Sequence, residues 1–439
     1  MLIDTHCHLF SKEMLAEEFL RVSNNFQDLN PEMISKRFSN ADVMNVLQFI
    51  SHGIDNDCFE LYTHMRKSYG QDFIAVPLML DLTYTNVNPF LKTDSENTEK
   101  LMKISKTINE KFLKAIESFS GSKSTKLYNL FEKVQFKLDS QKKNIFKDNY
   151  DIQIQDLTNL KKALPNRVFP FFSVDPRRDS EFDHGVLGEI KKHVGKRKPF
   201  TGLKLYTGLG YSPTNPVLYD NSEKQSVYGW CQLHRIPITV HCGYGGFSHT
   251  LERNIVHGDI FYPNAGEVIP MENIDKDLIL KYEHGILNFD EMVKERQLYL
   301  NHPKLWRKVL DKYPRLIINF AHMGGNYQVA KYASGSHTGY WTKQILDIVY
   351  DYKYAYTDLS FMTPVEEPKF DAEILYNNIF KKLPKKVKKK ILWGSDFFML
   401  DLAETDLSRY LEQFKLAFGK DFVKIAHENP RRFLRIKPQ

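Results

Sequence analysis

Eight short apolar runs recur along the chain, at 2–8, 73–80, 168–174, 201–206, 236–241, 316–322, 354–359 and 391–396, most of them separated by stretches with helical spacing. Short apolar runs bounded by polar residues are the mark of strands buried on both faces. Strands alternating with helices leave two architectures, an open doubly wound sheet or a closed parallel barrel. No glycine-rich phosphate fingerprint follows the first run, so the open sheet loses its main support. The expected fold is a (β/α)8 TIM barrel. Such barrels run from ~200 to more than ~400 residues with insertions. A single elaborated barrel over 1–439 therefore accommodates the whole sequence.

Helical spacing is read after the first run, through Met14, Leu15, Phe19 and Leu20, then through Val43, Val46, Leu47 and Ile50, and again across Phe59, Tyr62 and Met65. Pro77 weakens the second strand, because proline cannot donate to a ladder. At about 84–149 a Lys-, Ser- and Asn-rich segment keeps the spacing Leu101, Ile104, Ile108, Phe112, Ile116. It reads as a helical insertion carried on a loop, a solvated decoration or a lid. Further helices are expected around Trp230 and Leu233 and, after a long excursion from 243, around Trp306, Val309 and Leu310.

The net charge of +7 with 26% charged residues is mild and spread along the chain, so it requires no nucleic-acid partner. The basic run Lys381, Lys382, Lys385, Lys386, Lys388, Lys389 and Lys390 reads as a solvated helix end, since nucleic-acid patches interleave aromatics over a wider face. Cys7, Cys58, Cys231 and Cys242 show no C-x-x-C spacing, which points to a reducing compartment. No leader-like stretch and no run of ~18 apolar residues is seen. The expectation is a cytoplasmic protein with a small-molecule partner and no membrane partner; a homo-oligomer is compatible with it.

The ends of the runs carry the chemistry. In a parallel barrel the active site lies at the carboxyl ends of the strands. Reading those ends gives His6 and His8, then Lys204, His241, His322 and Asp396, each before a glycine-rich or polar loop. Alternation along a strand puts Asp4, His6 and His8 on one face. One histidine at a strand end is usually a hydrogen-bonded surface group, and Asp396 alone reads equally well as a helix cap. The ordered set is different, because imidazoles and a carboxylate converging on one mouth form a divalent-metal site.

This ordered set resembles the amidohydrolase superfamily, in particular its second amidohydrolase branch, which also contains decarboxylases similar to aminocarboxymuconate semialdehyde decarboxylase. The matching text is Ile3-Asp4-Thr5-His6-Cys7-His8, Gly202-Leu203-Lys204-Leu205-Tyr206, Val240-His241, Phe320-Ala321-His322-Met323-Gly324-Gly325, Tyr356-Thr357-Asp358-Leu359-Ser360, Gly394-Ser395-Asp396 and His427-Glu428-Asn429-Pro430. The resemblance implies that His6, His8, His241 and Asp396 hold the metal, with His322 a second-metal ligand or a substrate contact. Zinc is the implied ion, with manganese as the alternative, in one or two copies. Asp396 is then the proton shuttle and His322 the group that polarises a substrate carbonyl. In two-metal members a fourth-strand lysine is carbamylated and bridges the ions, which gives Lys204 a metal role; unmodified, it is an anion contact.

The loops say less about substrate. Arg177, Tyr206, Arg253 and His257 are the expected substrate contacts, with a rim salt bridge as the alternative for Arg177. The function these readings lead to is a metal-dependent hydrolase acting on a C–O or C–N bond of a small carbonyl compound. Non-oxidative decarboxylation with the same ligands is the alternative. An idle barrel whose insertion binds a partner protein is a third reading, and the intact donor set speaks against it.

Overall fold

The computed structural model describes residues 1–10, 56–82, 84, 149–220, 226–248, 256–271, 289–336, 340–403 and 405–436. The helices expected between 14 and 50, and nearly all of the insertion at about 84–149, lie outside the described residues.

The strands, in chain order, are β1 (Leu2–Cys7), β2 (Phe73–Pro77), β3 (Phe171–Ser173), β4 (Gly202–Leu205), β5 (Ile238–Gly243), β6 (Asp259–Tyr262), β7 (Glu267–Pro270), β8 (Ile318–Gly324), β9 (Ala355–Asp358) and β10 (Ile391–Leu392). Strands β3, β4, β5, β8, β9 and β10 pair in that order as a parallel ladder, and β1 pairs parallel with β2. Parallel bridges Ala75–Val168 and Leu78–Phe171 join β2 to β3. On the other side Cys7 bridges Phe397, Thr5 N donates to Trp393 O at 3.2 Å, and Asp396 N donates to His6 O at 2.7 Å. The ring of eight parallel strands thereby closes, as the run-and-helix rhythm requires. Pro77 is the last residue of β2, where its missing donor costs little.

Helices cover the outside: α1 (Cys58–Tyr69), α2 (Asn149–Ala163), α3 (Gly185–His193), α4 (Val227–His234), α5 (Phe289–Asn301), α6 (Pro303–Lys312), α7 (Asn326–Ala333), α8 (Tyr340–Asp351), α9 (Leu407–Phe418) and α10 (Asn429–Leu434). Helix α1 starts in a capping box, with Asp57 Oδ1 accepting from Phe59 N and Glu60 N and Glu60 Oε2 accepting from Asp57 N. Its buried stripe is Cys58, Leu61, Tyr62 and Met65. Phe59, expected on that stripe, is exposed, because the cap places it one position off the inward face. Helix α6 buries Leu305, Trp306, Val309 and Leu310 as its spacing predicts.

Alternation along β2 divides the core in two. Ile74 and Val76 join Ile3, Phe171, Tyr356, Leu392 and Phe433 inside the ring, whereas Phe73 and Ala75 face the helices with Trp306, Trp341, Trp393 and Tyr410. Helix α10 brings Phe433 and Leu434 to the inner cluster, held there by Asn429 Nδ2 donating to Lys388 O and Ile391 O. The hairpin β6–β7, closed by a turn with Gly266 at φ +68°, lies in the excursion after β5, where the sequence reading placed no strands. Among the described residues no helix is long and apolar enough to cross a membrane.

Strand β1 breaks the simple alternation. Its register with β2 shifts between Asp4 and Cys7, so Asp4 does not share the face of His6 and His8. The Asp4 carboxylate instead accepts from Tyr69 Oη of α1, from Ser395 N and Oγ, and from His6 N. It ties β1 to the segment after β10, beneath the site rather than in it.

Candidate active site

At the carboxyl ends of the strands lies a cavity of about 290 Å³, lined by His6, His8, Lys204, Tyr206, His241, His322 and Asp396, with Leu80, Phe247, Phe361 and Met399 as apolar walls. Every strand-end residue expected at the mouth is therefore brought to one cavity. Within it, Asp396 Oδ1 stands 3.2 Å from His6 Nε2 and 3.2 Å from His8 Nε2. Donor atoms of His6, His322 and Asp396 lie within 4.8 Å of one another. His6 Nε2 and Asp396 Oδ1 are buried and lie 3.2 Å apart, yet neither makes a hydrogen bond of good geometry. Such orphaned buried atoms are costly in a folded protein and call for an ion or water between them.

The opposite faces of the rings are tied down. His8 Nδ1 donates to Leu78 O at 2.8 Å, which leaves its Nε2 lone pair facing the cavity. His6 Nδ1 lies 3.2 Å from Asp358 Oδ2 and 3.0 Å from Ser360 Oγ. His322 Nδ1 lies 2.9 Å from Ser360 Oγ and 3.3 Å from Ser360 O. Asp358 also accepts from Asn319 Nδ2 and from His322 N. Sequence reasoning did not assign Asp358, Ser360 or Asn319. The signal was present for Asp358, the last residue of β9 and hence itself a strand-end carboxylate.

The electrostatics suit a cation. Burial pushes the Asp396 carboxyl up, but the close His6 and His8 rings outweigh it and hold the group well below the usual carboxylate range. Burial also holds the imidazoles of His8 and His241 below their ordinary value, and that of His322 at about 4. His6 goes the other way: burial and the Lys204 charge oppose protonation, but the Asp358 and Asp396 carboxylates raise it. An ionised carboxylate with mostly neutral imidazoles is the protonation state that a divalent ion requires, and an ion beside His6 would stand where its proton is otherwise favoured.

The strand ends are bent to aim these groups. His322 at φ 63°, Met323 at φ 47°, Phe361 at φ 55° and Asp396 at φ 63° all occupy the left-handed region. Each such non-glycine residue costs ~1–3 kcal/mol unless its surroundings fix it, and these conformations cluster at functional sites. Here the fixing bonds are His322 N to Asp358 Oδ1 at 2.9 Å and Asp396 N to His6 O at 2.7 Å.

His241 is placed differently from the other donors. It lines the cavity and stacks on Tyr206 at 3.9 Å, but its Nε2 bonds Gly245 O at 2.8 Å instead of pointing at Asp396. Tyr206 Oη accepts from Phe247 N at 2.6 Å, and Gln297 Nε2 donates to Phe247 O at 2.7 Å. The loop over the cavity is thus pinned against both rings. Gly246 at φ +113° permits this closeness, since a Cβ there would meet the Tyr206 hydroxyl and come within 2.9 Å of the His241 ring.

Lys204 is 1% exposed, and its ammonium makes no hydrogen bond or ion pair among the described residues. Burial lowers its pKa to about 8, against the pull of Asp396 and Asp358. Two expected substrate contacts, Arg177 and His257, are not among the residues lining the cavity. Arg177 does not line the cavity; its guanidinium forms a two-pronged pair with Asp175, at 2.9 and 2.5 Å, and donates to Leu209 O. His257 is exposed and is not among the described residues that line the cavity. Arg253 lies outside the described residues.

The sequence pattern of a known family, described as Amidohydrolase, matches residues 151–436. The chain belongs to the amidohydrolase family. It is an enzyme of that superfamily, as the strand-end motifs imply. The amidohydrolase chain is similar in structure to a 5-carboxyvanillate decarboxylase from Sphingomonas paucimobilis, with 14% identity over 99% of each chain and a TM-score of 0.46. A 5-carboxyvanillate decarboxylase from Novosphingobium aromaticivorans, complexed with manganese and 4-hydroxy-3-methoxy-5-nitrobenzoic acid, matches with 12% identity over 99% of this chain and 96% of that one, TM-score 0.47. A probable 2-pyrone-4,6-dicarboxylic acid hydrolase from Acinetobacter baumannii, with citric acid bound, matches with 14% identity over 99% of each chain, TM-score 0.41. No curated protein sequence matches the chain.

Proposed function

We propose that this amidohydrolase uses one divalent cation, zinc or manganese, to hydrolyse a C–O or C–N bond in a small carboxylate-bearing carbonyl compound. The observation that carries the reading is the pair of buried atoms without a hydrogen bond, His6 Nε2 and Asp396 Oδ1, in one small cavity that Lys204 also lines. His6, His8, His322 and Asp396 would hold the cation, with His241 joining them when its Nε2 leaves Gly245 O. When bound, such a cation supplies a Lewis acid that makes water acidic near neutral pH and polarises a substrate oxygen.

The remaining roles fall to side chains. Asp396 accepts the proton of the attacking water and passes it to the leaving group. Lys204 binds the substrate carboxylate; a buried ammonium without an anion is otherwise expensive. Leu80, Phe247, Phe361 and Met399 exclude bulk water and suit a flat apolar body attached to the carboxylate. A carbamylated Lys204 bridging two ions is less well supported, since among the described residues the donors gather in one group.

That same single-ion set favours decarboxylation as the second reading, because a carboxylate oriented by Lys204 beside a Lewis acid is also poised to leave. A panel of small aromatic acids and lactones, turned over in water enriched with heavy oxygen, separates the two. Label in the organic product with no carbon dioxide is the expected result. Stoichiometric carbon dioxide and an unlabelled organic product would establish the decarboxylase instead.

A further inference from the structure

We infer that Ser360 is a shared positioning residue, one hydroxyl that sets the tautomer and aim of both His6 and His322. The inference rests on the metal reading of the site. Its geometry stands on three contacts of Ser360 Oγ: 2.5 Å to Asp358 Oδ1, 3.0 Å to His6 Nδ1 and 2.9 Å to His322 Nδ1.

Proton counting fixes the direction of each bond. The Asp358 carboxylate can only accept, and it already accepts from His322 N, Ser360 N and Asn319 Nδ2. The single Ser360 hydroxyl proton therefore goes to Asp358, and both oxygen lone pairs are left to accept. His322 Nδ1 sits between that oxygen and the Ser360 carbonyl, 3.3 Å away, so it must carry the hydrogen. His6 Nδ1 sits between the same oxygen and Asp358 Oδ2 at 3.2 Å, so it must carry one too. With both Nδ1 atoms donating, the Nε2 lone pairs of two rings from different strands are turned toward Asp396 together. Ser360 is fully buried, so bulk water does not compete with its hydroxyl for these contacts. Removing it takes the shorter acceptor from both N–H groups at once and leaves each only its longer one, Ser360 O at 3.3 Å and Asp358 Oδ2 at 3.2 Å.

Partners of metal-bound histidines are worth ~10–100-fold in metal affinity when removed. Ser360→Ala in the full-length chain should weaken zinc binding by that factor, measured by chelator competition, while the melting temperature in excess chelator stays near wild type. Ser360→Thr, which restores a hydroxyl, should recover most of the lost affinity. In the zinc-loaded wild type, histidine-selective nitrogen NMR should find hydrogen on Nδ1 of His6 and His322, each assigned by loss of its signal in the His→Gln variant. This last measurement decides the matter even if neither serine variant folds. Undiminished zinc affinity in a folded Ser360→Ala, or a His322 ring with hydrogen on Nε2, overturns the shared role. A wild-type chain that binds neither zinc nor manganese overturns the metal reading beneath it.

Discussion

Asp396→Asn leaves a folded, metal-replete enzyme whose turnover falls at least ~100-fold, the scale of a lost proton shuttle. The substitution keeps the shape and one coordinating oxygen but removes the basicity. The fold should survive because the backbone at 396 is held by bonds that do not involve the carboxylate, namely Asp396 N to His6 O and Met399 N to Asp396 O. The variant is loaded with zinc or manganese, its metal content is checked, and turnover is compared with wild type on a substrate from the panel. Near-normal turnover at full metal content would move the proton transfer to another residue.

Lys204→Met raises KM by ~10–100-fold with a smaller change in kcat, because a charge-assisted bond to the substrate carboxylate is worth ~1.5–3 kcal/mol. Methionine fills the same buried volume without a charge, and relief of the buried ammonium offsets any packing loss. Methyl esters of the substrate should lose their disadvantage against the free acid in this variant. If instead the substitution strips metal from the site, Lys204 acts on the ions and the carbamate bridge returns.

Most of the architecture was legible because buried parallel strands are continuous apolar runs, and a barrel sets its chemistry at their ends. His6, His8, Lys204, His241, His322 and Asp396 were found by that rule alone. Other features needed space rather than sequence. The register shift in β1 has no residue signature, so alternation misplaced Asp4 beside His6. Ser360 and Asp358 matter because β9 lies against β8 and the ring closes back to β1, which brings residues 354 positions apart to hydrogen-bonding distance. Arg177 makes the salt bridge that the sequence offered as its alternative, with Asp175, two residues earlier, but only the structure could choose between that pair and a substrate. The hairpin β6–β7 was hidden by its length, since four-residue strands on a rim carry little periodic signal.

A cation held between β1 and the segment after β10 is the centre of the proposed chemistry. Plasma mass spectrometry of purified full-length chain against a His6→Ala, His8→Ala double variant tests it most directly. About one divalent ion per wild-type chain and almost none in the double variant is the predicted result, since a site that loses two of its imidazoles no longer closes around an ion. Equal metal content in the two proteins would contradict it.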